Sequence, residues 1–274
     1  MSRAAHGSPL GRAPLVLLVP AGAAVLLLLV PLVSLLVVTP WARLPELVAS
    51  REVLEALRLT GVASLATVVL CLLVGTPLAW VLARVEFRGR SLVRALVTVP
   101  LVLPPVVAGV ALVAALGRSG VVGAPLRDLT GLVVPYTTPA VVVAHTFVAM
   151  PFFVLSVEGA LRASGERYDA VAASLGASRW TTFRRVTLPL AMPGVVAGGV
   201  LAWARSLGEF GATVTFAGNY PGVTQTMPSL IYQTLQNDRE TAQTISIVLL
   251  GVSILVLALL RNRWLDRAPT GPGA

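Results

Sequence analysis

The stretch VAASLGASRWTTFRRVTLPLAMPG, from Val171 to Gly194, is a mixed apolar and basic segment in a chain that is otherwise strongly apolar. A glycine stands near its start, and a Leu-Pro pair stands near its end. Its interpretation depends on whether the surrounding sequence is soluble or embedded in lipid, because arginines have different roles in the two settings.

The composition indicates an integral membrane protein. Hydrophobic residues make up 56% of the 274 residues and charged residues only 12%, whereas soluble domains carry about 25% charged residues. All 21 basic residues are arginine and are dispersed between apolar runs, which argues against a nucleic-acid surface. One cysteine, Cys71, and two histidines, His6 and His145, provide too few ligands for a disulfide framework or a metal cluster.

Six apolar stretches approach the roughly 20 residues that are needed to cross a bilayer. They are Leu15 to Val38, Leu59 to Ala83, Ala95 to Leu116, Tyr136 to Val157, Leu190 to Thr215 and Gln243 to Leu260. The first is too long for a signal-peptide core and is predicted to be retained as a membrane helix. The sequence therefore predicts an all-α polytopic membrane protein with one membrane domain over residues 14–260, between tails at 1–13 and 261–274.

The distribution of arginines predicts the orientation. With the N-terminus in the cytoplasm, fourteen arginines lie inside, six lie outside, and Arg205 lies within a span, as the positive-inside rule requires. The inside set is Arg3, Arg12, Arg84, Arg88, Arg90, Arg94, Arg162, Arg167, Arg179, Arg184, Arg185, Arg261, Arg263 and Arg267, and the outside set is Arg43, Arg51, Arg58, Arg118, Arg127 and Arg239. Both termini and the loop at about 158–190 are then expected to be cytoplasmic.

Two short helices are predicted in this loop. Ser164 is a candidate N-cap of the first helix, and Gly176 suits the left-handed residue that follows its C-terminus. Ser178 is a candidate N-cap of the second helix, which Pro189 is expected to end. From the residues alone, a docking element for another protein and an ordinary arginine-bearing surface loop are both open interpretations.

A second set of candidate residues lies in the fifth predicted span. Arg205 and Glu209 are four residues apart, so they can pair on one helix face, and ionisable groups in spans usually face an interior or a water-filled path. The pair is interpreted either as part of an outer gate that meets an oxyanion or as a neutralised structural contact. Gly208, Gly211 and Thr213 complete the pore or gate candidates, the glycines because they permit close helix packing.

The first motif resembles the cytoplasmic EAA loop of bacterial ABC-importer permeases. Gly176, nine further residues, Val186 and then Leu188-Pro189 match its spacing, while Ala170 stands in the glutamate position and Asp169 lies one place earlier. The resemblance implies a coupling helix that seats in the ATP-binding subunit and transmits its closure. The residues implied in coupling are Asp169, Ala170, Ala172, Gly176, Leu188 and Pro189.

Five further stretches resemble the molybdate branch of the molybdate/sulfate ABC permeases. They are LPLAMPG, SLGEFGAT, AGNYPGVTQTMPSLIY, PLVLPPVVAG and HTFVAMPFFV. The resemblance implies a homodimeric pore in the bacterial inner or plasma membrane, with two separate ATP-binding subunits inside and an oxyanion-binding protein outside. It implies no enzyme activity, metal or cofactor on this chain, and the absence of lysine excludes a phosphate-binding loop of the G-x-x-x-x-G-K type.

Three other interpretations remain open. A permease for sulfate or thiosulfate would carry similar motifs, and tungstate is hardly separable from molybdate. A secondary transporter would show inverted repeats and an ion site near the midplane. A membrane enzyme would need a second acid or a nucleophile beside Arg205, Glu209 and His145.

Overall fold

The computed structural model describes residues 15–265, and all regular structure in that range is helical. The first seven helices are α1 (Leu15–Val38), α2 (Leu44–Ala49), α3 (Arg51–Leu70), α4 (Thr76–Arg84), α5 (Arg90–Val102), α6 (Pro105–Leu116) and α7 (Gly123–Thr130). The remaining seven are α8 (Thr138–Ala163), α9 (Arg167–Ser174), α10 (Arg179–Thr182), α11 (Leu188–Leu207), α12 (Gly211–Phe216), α13 (Met227–Leu235) and α14 (Arg239–Leu265). The predicted tail at 1–13 and residues 266–274 of the other tail lie outside the described range.

Five continuous helical segments in the described range are long and apolar enough to span a membrane. They are Val16–Val38, Arg51–Arg84, Thr138–Ala163, Arg179–Leu207 and Arg239–Val256. Two of them contain a π-helical turn, Cys71–Gly75 between α3 and α4 and Phe183–Thr187 between α10 and α11. The all-α, multi-pass class predicted from composition is confirmed.

The third predicted span is broken rather than continuous. Helix α5 ends at Val102, Leu103 and Pro104 are extended, and α6 begins at Pro105. Two consecutive prolines cause this break, because each lacks a backbone N–H and the residue before a proline is driven out of the helical region. The described range thus holds five continuous candidate spans where the sequence predicted six, and the third predicted span is divided between α5 and α6.

The fifth predicted span, Leu190–Thr215, is also corrected. Its helix begins earlier, at Arg179, passes through Pro189 without ending, and stops at Leu207. Pro189 is tolerated because it closely follows the π-helical turn Phe183–Thr187, where the regular i→i−4 hydrogen-bond pattern is already interrupted. After Gly208–Phe210 the chain resumes as the short helix α12.

Helix α8 is the centre of the bundle. Within its most apolar window 56% of residues are buried, compared with none in α1, and α8 packs against α3, α4, α5, α11 and α12. Its contact with α11 is close because small residues face each other. A Cβ added at Gly194 would collide with Cβ of Ala160 and would lie 3.2 Å from the carbonyl oxygen of Ser156.

We expect replacement of Gly194 with valine to destabilise the folded chain, because the added side chain must separate α8 from α11. The cost of overpacking a filled interface is about 1–3 kcal/mol, and it is measured as a lower melting temperature of the purified protein in detergent. Gly159→Val is the matched control, because Gly159 adjoins Ala160 on α8 and a Cβ there meets nothing within 4 Å. Equal melting temperatures for the two variants would contradict the proposed role of this contact.

Candidate functional site: the α9 loop and the break after α11

Helix α9 ends and α10 begins as the loop sequence predicted. Gly176 has a φ of +81°, and its N–H donates to Ala173 O at 3.0 Å, while the N–H of Ala177 donates to Ala172 O at 3.0 Å. This is the left-handed closure that glycine favours. Ser178 then accepts a hydrogen bond from the N–H of Thr181 at 3.2 Å and caps α10.

The predicted N-cap at Ser164 is wrong. Helix α8 extends to Ala163, so Ser164 lies at its C-terminal end and its hydroxyl donates to Leu161 O at 2.9 Å. Helix α9 starts after Glu166, which makes no side-chain capping bond. Because α8 extends to Ala163, the Ser164 hydroxyl bonds to a carbonyl in the last turn of α8 and does not cap the start of α9.

The outward face of α9 is apolar. Tyr168, Val171 and Leu175 expose 57%, 52% and 82% of their surface, and their spacing of three and four residues places them on one face of the helix. Ala170, at the glutamate position of the EAA pattern, is exposed and lies beside a cavity of about 570 Å³ between α4, α9 and α10. A contiguous apolar strip on an exposed helix is typical of a protein-binding surface.

Asp169 points in a different direction, into the protein. Its Oδ2 lies 3.1 Å from Nε of Arg84, and its Oδ1 accepts a hydrogen bond from the hydroxyl of Thr187 at 2.7 Å. Ala172 is half-buried on the same helix, and Leu188 and Pro189 form the first turn of α11. The coupling candidates therefore belong to one connected region, in which the acidic residue is paired with its neighbours and 23% exposed.

The first group of residues that sequence reasoning missed surrounds Glu158. This carboxylate is 5% exposed, and its Oε1 accepts from Arg94 Nη2 at 2.6 Å and from Arg162 Nε at 3.0 Å. Arg90, Arg94 and Arg162 also donate to Leu82 O, near the C-terminus of α4, over 2.6–3.3 Å. Arg162 lies one helical turn from Glu158 and could have been found by spacing, whereas Arg94 is 64 residues away and carries no local signal.

Arg205 and Glu209 form the predicted pair, with Arg205 Nη1 and Glu209 Oε2 at 2.6 Å. Arg205 is 27% exposed and Glu209 only 1%, because Glu209 lies in the break between α11 and α12. Its second oxygen, Oε1, accepts from the N–H of Ala212 at 2.8 Å. The carboxylate thus satisfies a backbone donor at the start of α12 while it neutralises the arginine.

The two glycines of the gate candidates have different surroundings. A Cβ added at Gly211 would lie 2.6 Å from Cβ of Pro105, so α12 packs directly on the start of α6, whereas a Cβ at Gly208 would meet nothing within 4 Å. Thr213 is buried, and its hydroxyl has no hydrogen-bond partner among residues 15–265. The break after α11 and the break before α6 are therefore in contact.

His145 lies on the same side of the bundle as this region, at the α8–α11 interface. It is fully buried, and its Nδ1 is 2.8 Å from the hydroxyl of Ser206. Ser206 is a second residue that sequence reasoning missed, since a serine in an apolar run gives no signal for its partner. The contact fits an interior hydrogen bond between two packed helices rather than an exposed proton carrier.

Comparison with known proteins identifies the fold and the family. The family described as the binding-protein-dependent transport system inner membrane component matches residues 75–270. The molybdenum transport system permease protein of Mycobacterium tuberculosis is 47% identical over 238 residues, which cover 87% of this chain and 90% of that protein. The corresponding protein of Escherichia coli strain K12 is 39% identical over 189 residues, 69% of this chain and 82% of that protein.

A solved structure shows the same architecture. A chain of a bacterial ABC transporter involved in the import of the acidic polysaccharide alginate aligns with a TM-score of 0.76 at 20% identity, covering 92% of this chain and 95% of that one. The family match extends over more than half of the chain and includes both α9 and the break after α11. The chain therefore belongs to the family of binding-protein-dependent transport system inner membrane components.

Proposed function

We propose that this chain forms the translocation pore of an ATP-driven importer of molybdate, or of its close analogue tungstate. Two copies form the pore, two separate ATP-binding subunits dock at the cytoplasmic face, and an oxyanion-binding protein delivers the substrate from outside. The observation that carries the proposal is the 47% identity to the mycobacterial molybdenum permease over 87% of the chain. This similarity covers 87% of the chain, including the proposed docking helix α9 and the gate candidates near Arg205 and Glu209.

Sulfate is the second candidate substrate. The sulfate transport system permease protein CysT of Escherichia coli is 36% identical over 236 residues, covering 85% of each chain. Molybdate and sulfate are both tetrahedral dianions, so similar permeases can carry either of them. The higher sequence identity to the molybdenum permease, 47% against 36%, favours molybdate. The choice between them is therefore made by the second experiment below.

The α9 face supports docking of an ATP-binding subunit. Tyr168, Val171 and Leu175 present an exposed apolar strip, and burying such a strip against a partner is favourable by roughly 25 cal/mol for each Å² removed from water. We assign ATP binding and hydrolysis to the separate subunits, and the lack of a phosphate-binding loop of the G-x-x-x-x-G-K type in this sequence supports that assignment. We place α9 and both termini in the cytoplasm, since the arginine distribution favours that orientation.

The exposed face of the broken third span supports a pore between two copies. Leu101, Val102, Val106 and Val107 on α5 and α6 are all more than a third exposed, and Pro105 of this segment packs on Gly211. A single copy leaves one side of these two breaks uncovered, and a second copy related by symmetry would enclose a pathway between them. Arg205 keeps 27% of its side chain exposed beside the breaks and is proposed to line the gate.

Replacing Gly176 with valine is expected to reduce molybdate uptake about 5- to 30-fold, because a left-handed β-branched residue costs roughly 1–2 kcal/mol and distorts the end of α9. A Cβ at this position meets nothing within 4 Å, so the effect arises from backbone conformation and not from a clash inside the chain. The measurement compares uptake of radiolabelled molybdate with ATP hydrolysis in vesicles that contain the complete transporter.

Gly176→Asn is the matched control, since asparagine adopts the left-handed region more readily than valine. Its uptake is expected to lie close to that of the unmodified transporter. Uptake by the valine variant that equals uptake by the asparagine variant would count against a docking role for the end of α9.

The substrate is identified by ATP hydrolysis in the reconstituted complex. We expect the molybdate-loaded binding protein to stimulate hydrolysis several-fold, because a loaded binding protein selects the state that closes the ATP sites. The binding protein without ligand and the sulfate-incubated binding protein serve as controls. Stimulation by sulfate alone would assign the chain to sulfate import instead.

A further inference from the structure

The carboxylate of Asp169 joins three helical elements. Asp169 belongs to α9, Arg84 is the last residue of α4, and Thr187 is the last residue of the π-helical turn before α11. The Oδ2 of Asp169 forms an ion pair with Arg84, at 3.1 Å from Nε, and its Oδ1 accepts a hydrogen bond from the Thr187 hydroxyl at 2.7 Å. We call these three residues the Asp169 cluster.

Arg84 also holds the segment that leads into α9. Its side chain is only 8% exposed, and its Nη2 donates to Gly165 O at 2.6 Å and to the Ser164 hydroxyl at 3.2 Å. Glu166 is the other nearby acid, with Oε1 at 4.0 Å from Nη1, and its side chain is 72% exposed. Asp169 is therefore the closer and better shielded counter-ion of a buried guanidinium.

Asp169 and the apolar strip of α9 occupy different sides of the helix. At 3.6 residues per turn, Asp169 is rotated by roughly 100° or more from each of Tyr168, Val171 and Leu175. Asp169 keeps 23% of its side chain exposed and borders the same cavity as Ala170, but both of its carboxylate oxygens face Arg84 and Thr187. The apolar strip and the polar contacts of Asp169 thus involve different residues of the α9 segment.

We propose that Asp169 is a positioning residue that transmits the movement of α9 to two spans at once. Through Arg84 it holds the segment Arg51–Arg84, and through Thr187 it holds the segment Arg179–Leu207. When the ATP-binding subunits displace α9, both spans move with it, although Asp169 itself does not contact those subunits. This inference rests on the proposed function, and it adds Arg84 and Thr187 to the residues implied in coupling.

The π-helical turns give both spans a place to bend. Segment Arg51–Arg84 contains Cys71–Gly75, and segment Arg179–Leu207 contains Phe183–Thr187, and helices commonly bend at π-turns. Thr187 stands where the second turn returns to α-helical geometry, and its hydroxyl also lies 3.4 Å from Thr182 O. A displacement of Asp169 that moves Thr187 therefore acts on the π-helical turn Phe183–Thr187, where the segment Arg179–Leu207 bends most easily.

The test uses the complete transporter with Asp169→Asn and, separately, Thr187→Val. Each variant removes one contact of the Asp169 cluster with little change of volume, and Glu166→Gln is the matched control one turn away. Three quantities are measured: the affinity of the ATP-binding subunits for the permease, basal ATP hydrolysis, and oxyanion transported per ATP. Transport per ATP is measured with molybdate and, separately, with sulfate, so that it has a value whichever of the two oxyanions the complex imports.

We expect both cluster variants to keep affinity and basal hydrolysis within about twofold of the unmodified transporter, while transport per ATP falls about tenfold, the effect of losing one charge-assisted contact. The double variant Arg84→Gln/Asp169→Asn removes both charges together with the Arg84 hydrogen bonds to Gly165 and Ser164, so its transport per ATP is also expected to be low. A melting temperature of Asp169→Asn that stays close to that of Glu166→Gln separates transmission from simple destabilisation.

Two results would overturn the inference. Loss of affinity for the ATP-binding subunits in proportion to the loss of transport would make Asp169 a docking contact, and transport per ATP equal to that of Glu166→Gln would remove the cluster from the coupling path. The unmodified complex is measured first. If it transports neither oxyanion, the proposed function is contradicted, whatever the variants do.

Discussion

Backbone hydrogen bonding inside the apolar bundle is the constraint on which the arrangement of this chain depends. A helix that stops within hydrocarbon leaves N–H and C=O groups without partners, at a cost of several kcal/mol each. Two spans do stop, at Leu103–Pro104 and at Gly208–Phe210. At the first break the prolines have no N–H to satisfy, and at the second Glu209 accepts from the N–H of Ala212. Glu209 is therefore buried where it can accept from this backbone N–H, and Arg205 lies beside it because its positive charge neutralises the carboxylate.

The same reasoning extends to the arginines at the opposite end of the bundle. Their number suggested orientation in the membrane, yet three of them, Arg90, Arg94 and Arg162, converge on Leu82 O at the end of α4. Carbonyls at a helix C-terminus carry partial negative charge, which cations stabilise. Glu158 balances this concentration of positive charge and joins α5 to α8. One set of arginines thus both favours an orientation and fastens three helices together.

Features that depend on a few adjacent residues could be predicted from the sequence, whereas contacts between distant segments could not. Gly176 and Ser178 were predicted correctly because a left-handed closure and an N-cap depend on a few adjacent residues. Ser164 was assigned to the wrong helix because two helix ends lie within three residues of it, and spacing alone does not say which end it serves. The pairing of Asp169 with Thr187, 18 residues apart, depends on how α9 folds back against α11, and a threonine in an apolar run gives no sign of it.

The position of Asp169 also settles what its sequence offset from the EAA pattern means physically. A carboxylate one residue early on a helix is rotated by roughly 100° from the expected direction, and here it lies against Arg84 and Thr187 while it still borders the cavity that Ala170 lines. Ala170, at the expected position, is exposed and uncharged. Position 170 itself thus carries no carboxylate, and the nearest one, Asp169, is held by Arg84 and Thr187. The exposed strip of Tyr168, Val171 and Leu175 is apolar. Under the proposed function, docking on α9 therefore depends on shape and buried apolar area more than on an ion pair at position 170.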